Sequence, residues 1–218
     1  MLNTGEEATK IIFPQVNEET LKVNLERYKQ KAIEFGASQA EIIPAHWAEV
    51  DERVRLKCMV PPCPNYGRCG YCPPNTPQPE FMRKALSRFN WAVLFKSDVP
   101  VADFADIARY YPHGQNQQRK AGDIATKVES LAFADGYQLA VGFGAGGCRD
   151  TLCGGGLCQV LDSGRCLHIL RARPSMEGVG IDVCDLVTKV NWNIYPISRS
   201  IDPTLVPCAI SVGITFIY

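Results

Sequence analysis

Cys148–Cys166 reads CRDTLCGGGLCQVLDSGRC, four cysteines in nineteen residues with four, four and seven residues between them. Gly142, Gly144, Gly146 and Gly147 precede the stretch, and Gly154, Gly155 and Gly156 lie inside it. A thiolate-bound metal centre needs soft sulfur donors on a chain that folds tightly around one point. Glycine permits that approach and tolerates positive φ. The stretch therefore reads as a metal or iron–sulfur site.

Working outward, Gln138–Phe143 reads as a strand that runs straight into the glycines, and Gln115–Gly136 before it as the longest helix. That helix repeats Ala121, Ile124, Ala125, Val128, Leu131 and Ala132 at three and four, with a glycine stop. The GFGAGG run at 142–147 also invites a phosphate-binding reading. No helix-forming run is read behind it, and it has no glycine-lysine-serine/threonine ending. Downstream, Pro174 and Ser175 start a predicted helix reaching about Val190, weakened by Gly178 and Gly180, and Pro207–Ile217 is strongly β-prone.

A second cysteine group lies upstream, in KCMVPPCPNYGRCGYCPPNTP at 57–77. Cys58, Cys63, Cys69 and Cys72 are separated by four, five and two residues. The prolines exclude regular helix and predict a stiff, extended loop, suited to a preorganised ligand set. Before it, alternation over Val50–Cys58 predicts a strand with Arg53, Arg55 and Lys57 on one face. Residues 17–36 read as a helix capped by Asn17, with Leu21, Val23, Leu25, Tyr28 and Ala32 as its apolar face. Ala40–Pro44 and Trp91–Lys96 read as strands, Pro79–Phe89 as a helix, and Ala102–Tyr110 as a short helix. The fold class expected is α/β (or α+β): a small central sheet flanked by helices, with cysteine-rich loops holding the metal. No repeat or linker interrupts residues 1–218, which read as one domain.

Composition narrows the class. With 46% hydrophobic and 21% charged residues the chain is an ordinary globular one. Its 23 basic and 23 acidic residues cancel, which gives nucleic-acid binding no support. No apolar run approaches the roughly twenty residues that span a bilayer, and the N-terminus lacks a signal-peptide pattern. A cytoplasmic protein with no membrane partner is expected. Disulfides rarely persist there, so ten cysteines point to metal binding or redox chemistry. Cys184 and Cys208 stand apart in apolar contexts and read as buried structural thiols.

Three metal arrangements remain open: an iron–sulfur cluster in each group, zinc in each, or one shared centre. Zinc sites favour close cysteine pairs; only Cys69 and Cys72 form one, so iron–sulfur is preferred and zinc is the alternative. Cations flank both groups, Arg53, Arg55, Lys57 and Arg68 at the first and Arg149, Arg165, Arg171 and Arg173 at the second. They would offset an anionic cluster, or else pair with acids such as Asp150 and Asp162 on a solvated face. His168 is read as a donor to a ligand or a substitute ligand, His46 and His113 as surface or core residues. No Ser–His–Asp set or carboxylate pair can be assembled.

The runs VRLKCMVPPCPNYG, CPPNTP, FMRKALSRFNWAVLF, GFGAGGC and ARPSMEGVGIDV resemble, in order, a prokaryotic family labelled predicted metal-binding protein (domain of unknown function 2284). The resemblance covers roughly Val54 to Trp192 and implies metal binding more firmly than any activity, in a family common among anaerobes and methanogens. It implies a first motif of three cysteines, matched by Cys58, Cys63 and Cys72, with Cys69 as an addition. Cys148, Cys153, Cys158 and Cys166 match the second motif with two-residue insertions, and Ile169 stands where proline is usual. The expectation is a protein with two [4Fe-4S] clusters for electron transfer or cluster-based redox chemistry, a redox partner protein, and room for a homodimer. The alternatives are an enzyme using an open iron of the first cluster and a zinc-binding or metal-delivery protein.

Overall fold

The computed structural model describes residues 16–197 and 202–218; the N-terminal stretch read above for a leader lies outside them. In chain order the first elements are α1 (Glu18–Glu34), β1 (Gln39–Pro44), α2 (Glu52–Met59), α3 (Pro79–Leu86) and β2 (Trp91–Val99). Then come the short α4 (Ala102–Ala105) and α5 (Ile107–Arg109), followed by α6 (Gln115–Ala134) and β3 (Val141–Phe143). The small α7 (Cys148–Cys153) and α8 (Gln159–Ser163), then α9 (Val183–Lys189) and β4 (Ala209–Phe216), complete the set.

β2 sits in the middle because Ala92, Val93, Leu94 and Phe95 have no exposed surface, so both its faces must be covered. It pairs antiparallel with β1 on one edge and with β4 on the other, and β3 pairs antiparallel with β4, giving the order β1-β2-β4-β3. Every pairing between these strands is antiparallel, so the architecture is α+β. On one face α1 and α6 lay Leu21, Leu25, Tyr28, Ile124 and Val128 against Val93 and Phe95. On the other, α3, α9 and the segment before α9 lay Met82, Leu86, Met176, Ile181 and Leu186 against Leu94 and Ile214.

The α1 start is as expected: Asn17 Oδ1 accepts the N–H of Glu19 at 2.9 Å and of Thr20 at 3.1 Å. Val23 is not on the buried face; it is 68% exposed, because the stripe runs through Leu21, Leu25, Tyr28 and Ala32.

Three expectations are corrected. Val50–Cys58 is not a strand: Asp51 caps a helix, accepting the Arg53 N–H at 2.7 Å, and Glu52 occupies its first turn. Helical spacing then separates the three cations. Arg53 and Lys57, one turn apart, share a side, while Arg55 turns inward and donates to Pro77 O (3.2 Å) and Gln78 Oε1 (3.0 Å). The expected helix from Pro174 is broken: Gly180 at φ +93° ends a short 3-10 turn, Glu177–Val179, and α9 restarts after Asp182, whose Oδ1 accepts the Asp185 N–H. And a helix, α7, does follow the GFGAGG run directly.

Candidate metal centre

The cysteine groups are carried partly on helices. Cys58 lies in the last turn of α2, Cys148 and Cys153 open and close α7, and Cys158 is the cap residue of α8, while Cys63, Cys69, Cys72 and Cys166 lie in the connecting segments. α7 packs against α6. The approach is close because Gly144 faces Gly122: a Cβ on Gly144 would stand 2.7 Å from the Gly122 Cα. Gly144 thus serves packing.

A polar staple joins the first cysteine loop to α7. Buried Asn65 donates from Nδ2 to Asp150 Oδ2 at 2.5 Å and accepts from Arg149 Nη1 at 3.3 Å, while Arg149 Nε donates to Gly156 O at 2.9 Å. Across this joint Cys69 Sγ lies 3.4 Å from Cys148 Sγ. The Gly70 N–H donates to Cys158 Sγ at 3.3 Å and the His168 N–H to Cys166 Sγ at 3.4 Å. His168 therefore contributes its backbone amide, not its imidazole, to this cysteine.

The electrostatics of the joint follow from crowding three sulfurs. Hydrogen bonds from Cys148 and Cys72, with the N–H groups of Tyr71 and Arg149, hold the Cys69 thiol far below the usual range. The same bonds, then burial, push Cys72 and Cys148 up. Burial also raises Cys58 and Cys153. One thiolate is accommodated among the three; holding all of them as thiolates calls for a cationic centre between the loops, which is what a bound metal supplies. Cysteine sulfur is the donor type that such a centre takes. Among the described residues, no three Cys, His, Asp or Glu side chains are arranged to hold a single metal ion.

The flanking cations are mostly committed elsewhere. Arg53 pairs with Asp51, Arg149 with Asp150, Arg171 with Asp123, and Arg173 with Glu129. These pairs fix loops: Glu129 also accepts the Gly142 N–H, tying β3 to α6.

The eight sulfurs divide by what they face. Cys148, Cys153, Cys158 and Cys166 all line one small cavity of about 20 Å³, together with Tyr71. Cys58 and Cys63 instead line a large cavity of about 810 Å³, and buried Cys69 links the two sides through Cys148. Three residues of these walls escaped the sequence reading. Tyr71 sits inside the one close cysteine pair, a placement visible in sequence. Glu177 lines the large cavity, accessible to solvent yet densely surrounded, and that enclosure raises its pKa. Cys184 lines the same cavity and is exposed, which corrects the expectation of a buried thiol; Cys208 is only half-buried. His46 and His113 are exposed.

With this geometry in view, the match to known families is specific: the family described as predicted metal-binding protein, DUF2284, aligns with residues 41–208. The chain belongs to that family. The aligned span includes both cysteine groups and the staple between them. Comparison with curated proteins and with solved structures returns no significant match. Among the described residues, no helix is long and apolar enough to cross a membrane.

Proposed function

We propose that this DUF2284 chain is an iron–sulfur protein, with Cys58, Cys63, Cys69, Cys72, Cys148, Cys153, Cys158 and Cys166 holding two [4Fe-4S] clusters for electron transfer or cluster-based redox chemistry. The observation that carries the reading is the joint, where Cys69 and Cys148 meet and backbone N–H groups point at cysteine sulfurs. When bound, such a cluster supplies one-electron chemistry. The chain's own residues do the rest. The N–H donors of Gly70, Tyr71, Arg149 and His168 stabilise thiolate charge, and bonds of that kind raise a cluster's reduction potential. The Asn65–Arg149–Asp150 staple keeps the two loops in register. A redox partner protein in the cytoplasm of an anaerobe fits the reading, and a homodimer is compatible with it.

Anaerobic purification with iron, sulfide and electron paramagnetic resonance measurements tests it. The expected result is a brown protein with close to eight irons per chain; about four, the content of one cubane, defeats the two-cluster assignment, and fewer than about three defeats the cluster reading itself. A colourless protein with stoichiometric zinc replaces it with a structural or metal-delivery role.

A second reading is favoured by one observation, the 810 Å³ cavity that reaches the first group only through Cys58 and Cys63. An enzyme needs substrate room beside its reactive centre. In that reading Glu177 holds or releases a proton toward a bound small molecule, and the second group relays electrons.

A further inference from the structure

We propose that the large cavity binds a small monocarboxylate with an apolar body, its carboxylate on Lys57 and its body facing Glu177 and Cys184. The volume, about 810 Å³, is that of a small-molecule site. Its walls are mainly apolar, with Val54, Phe104, Ile210 and Val212 prominent. Such walls select a ligand with a sizeable hydrocarbon portion.

The charges select its head. α2 presents Arg53 and Lys57 to the cavity from one side. Arg53 is taken by Asp51, whose oxygens receive its Nε at 2.9 and 3.1 Å and its Nη2 at 2.5 Å. Lys57 has no ion pair among the described residues. It is therefore the cation left for a ligand. A neutral ligand would leave that charge unused, and a dianion's second charge would find no further unpaired cation in the cavity and would meet Asp182 there. A single carboxylate satisfies both conditions.

The proposal deepens the enzyme reading and rests on it for whatever chemistry follows; binding itself is readable without metal. Cys184 is the reporter, being exposed on the cavity wall. Anaerobically isolated full-length protein is treated with iodoacetamide, and alkylation of the Cys184 peptide is followed by mass spectrometry. Phenylacetate and hexanoate are the probes, with phenylacetamide and hexanamide as neutral counterparts. The carboxylates are expected to slow alkylation about tenfold more than the amides, the factor for one charge-assisted hydrogen bond. Lys57→Gln, at an exposed position, is expected to abolish that difference. Equal protection by acids and amides, no protection by either, or a preference that survives Lys57→Gln would overturn the proposal. Iron measured on the same samples separates the two readings: protection without iron leaves this site standing and defeats the cluster assignment, whereas iron without protection defeats this site alone.

Discussion

Replacing Gly144 by alanine tests whether the glycine-rich run exists to bring α7 and its cysteines onto α6. The new Cβ would meet the Gly122 Cα at 2.7 Å, the Gly122 N at 3.0 Å and the Ala121 carbonyl carbon at 3.6 Å. The two nearest are backbone atoms of a long helix, so no side chain can swing away. Reaching ordinary contact, 3.4 Å or more, requires one element to move by at least about 0.7 Å. Gly144 is itself held, donating to Pro174 O at 3.0 Å and accepting from the Met176 N–H at 3.2 Å. Overpacking of this kind costs about 1–3 kcal/mol. For a chain of this length that lowers Tm by roughly 2–4 °C per kcal/mol. Gly122→Ala is the counter-experiment, because a Cβ there meets nothing within 4 Å and lies in the interior of α6. Helix propensity makes that change stabilising by about 0.5–1 kcal/mol. Equilibrium unfolding in urea, with wild type and both variants in the same metal state, measures the difference, and iron content reports any displacement of Cys148. Gly144→Ala within about 0.5 kcal/mol of wild type, the range of a neutral surface change, refutes the packing argument. So does equal destabilisation by both substitutions.

Cys69→Ala is expected to lower bound iron on both sides of the joint, since Cys69 touches Cys148 and bonds to Cys72; Cys208→Ala, outside both groups, keeps the full complement, and equal iron in the two variants contradicts the assignment. Asn65→Ala removes a buried donor and acceptor between Asp150 and Arg149 and should cost about 1–3 kcal/mol in thermal or denaturant unfolding. Asn65→Asp sets two carboxylates together and should cost more, so a less harmful Asp variant would count against the staple. Crowding at the cavity wall raises the Glu177 carboxyl above the ordinary glutamate value although the side chain stays accessible to solvent, so in the window above about pH 4.3 the native chain keeps a proton that the unfolded chain has lost. Its contribution is fully present below that window and is lost as pH rises through the folded-state value. Glu177→Gln should therefore flatten the stability–pH profile there, and an unchanged slope would show that the cavity wall does not hold Glu177 protonated.

Local signals were readable wherever a few neighbouring residues decide the outcome. Asn17 and the spacing of Leu21, Leu25, Tyr28 and Ala32 specify α1, and the unbroken apolar run from Ala92 to Phe95 specifies a central strand. The two groups of four cysteines were equally plain. α2 was misread because Arg53, Arg55 and Lys57 alternate as in a strand, and only the Asp51 cap, with Arg55 turned onto Pro77 and Gln78, selects the helix.

Sequence alone determined the two cysteine groups, the central strand and α1, because propensity, capping and periodicity act over a handful of residues. Tertiary structure decided the rest. It put Cys69 against Cys148 across 79 residues of chain, and it set Glu177 and Cys184 on the wall of one cavity with Cys58 and Cys63. Those outcomes depend on antiparallel pairing of distant strands and on backbone contact at Gly144 and Gly122, and spacing along the chain encodes neither.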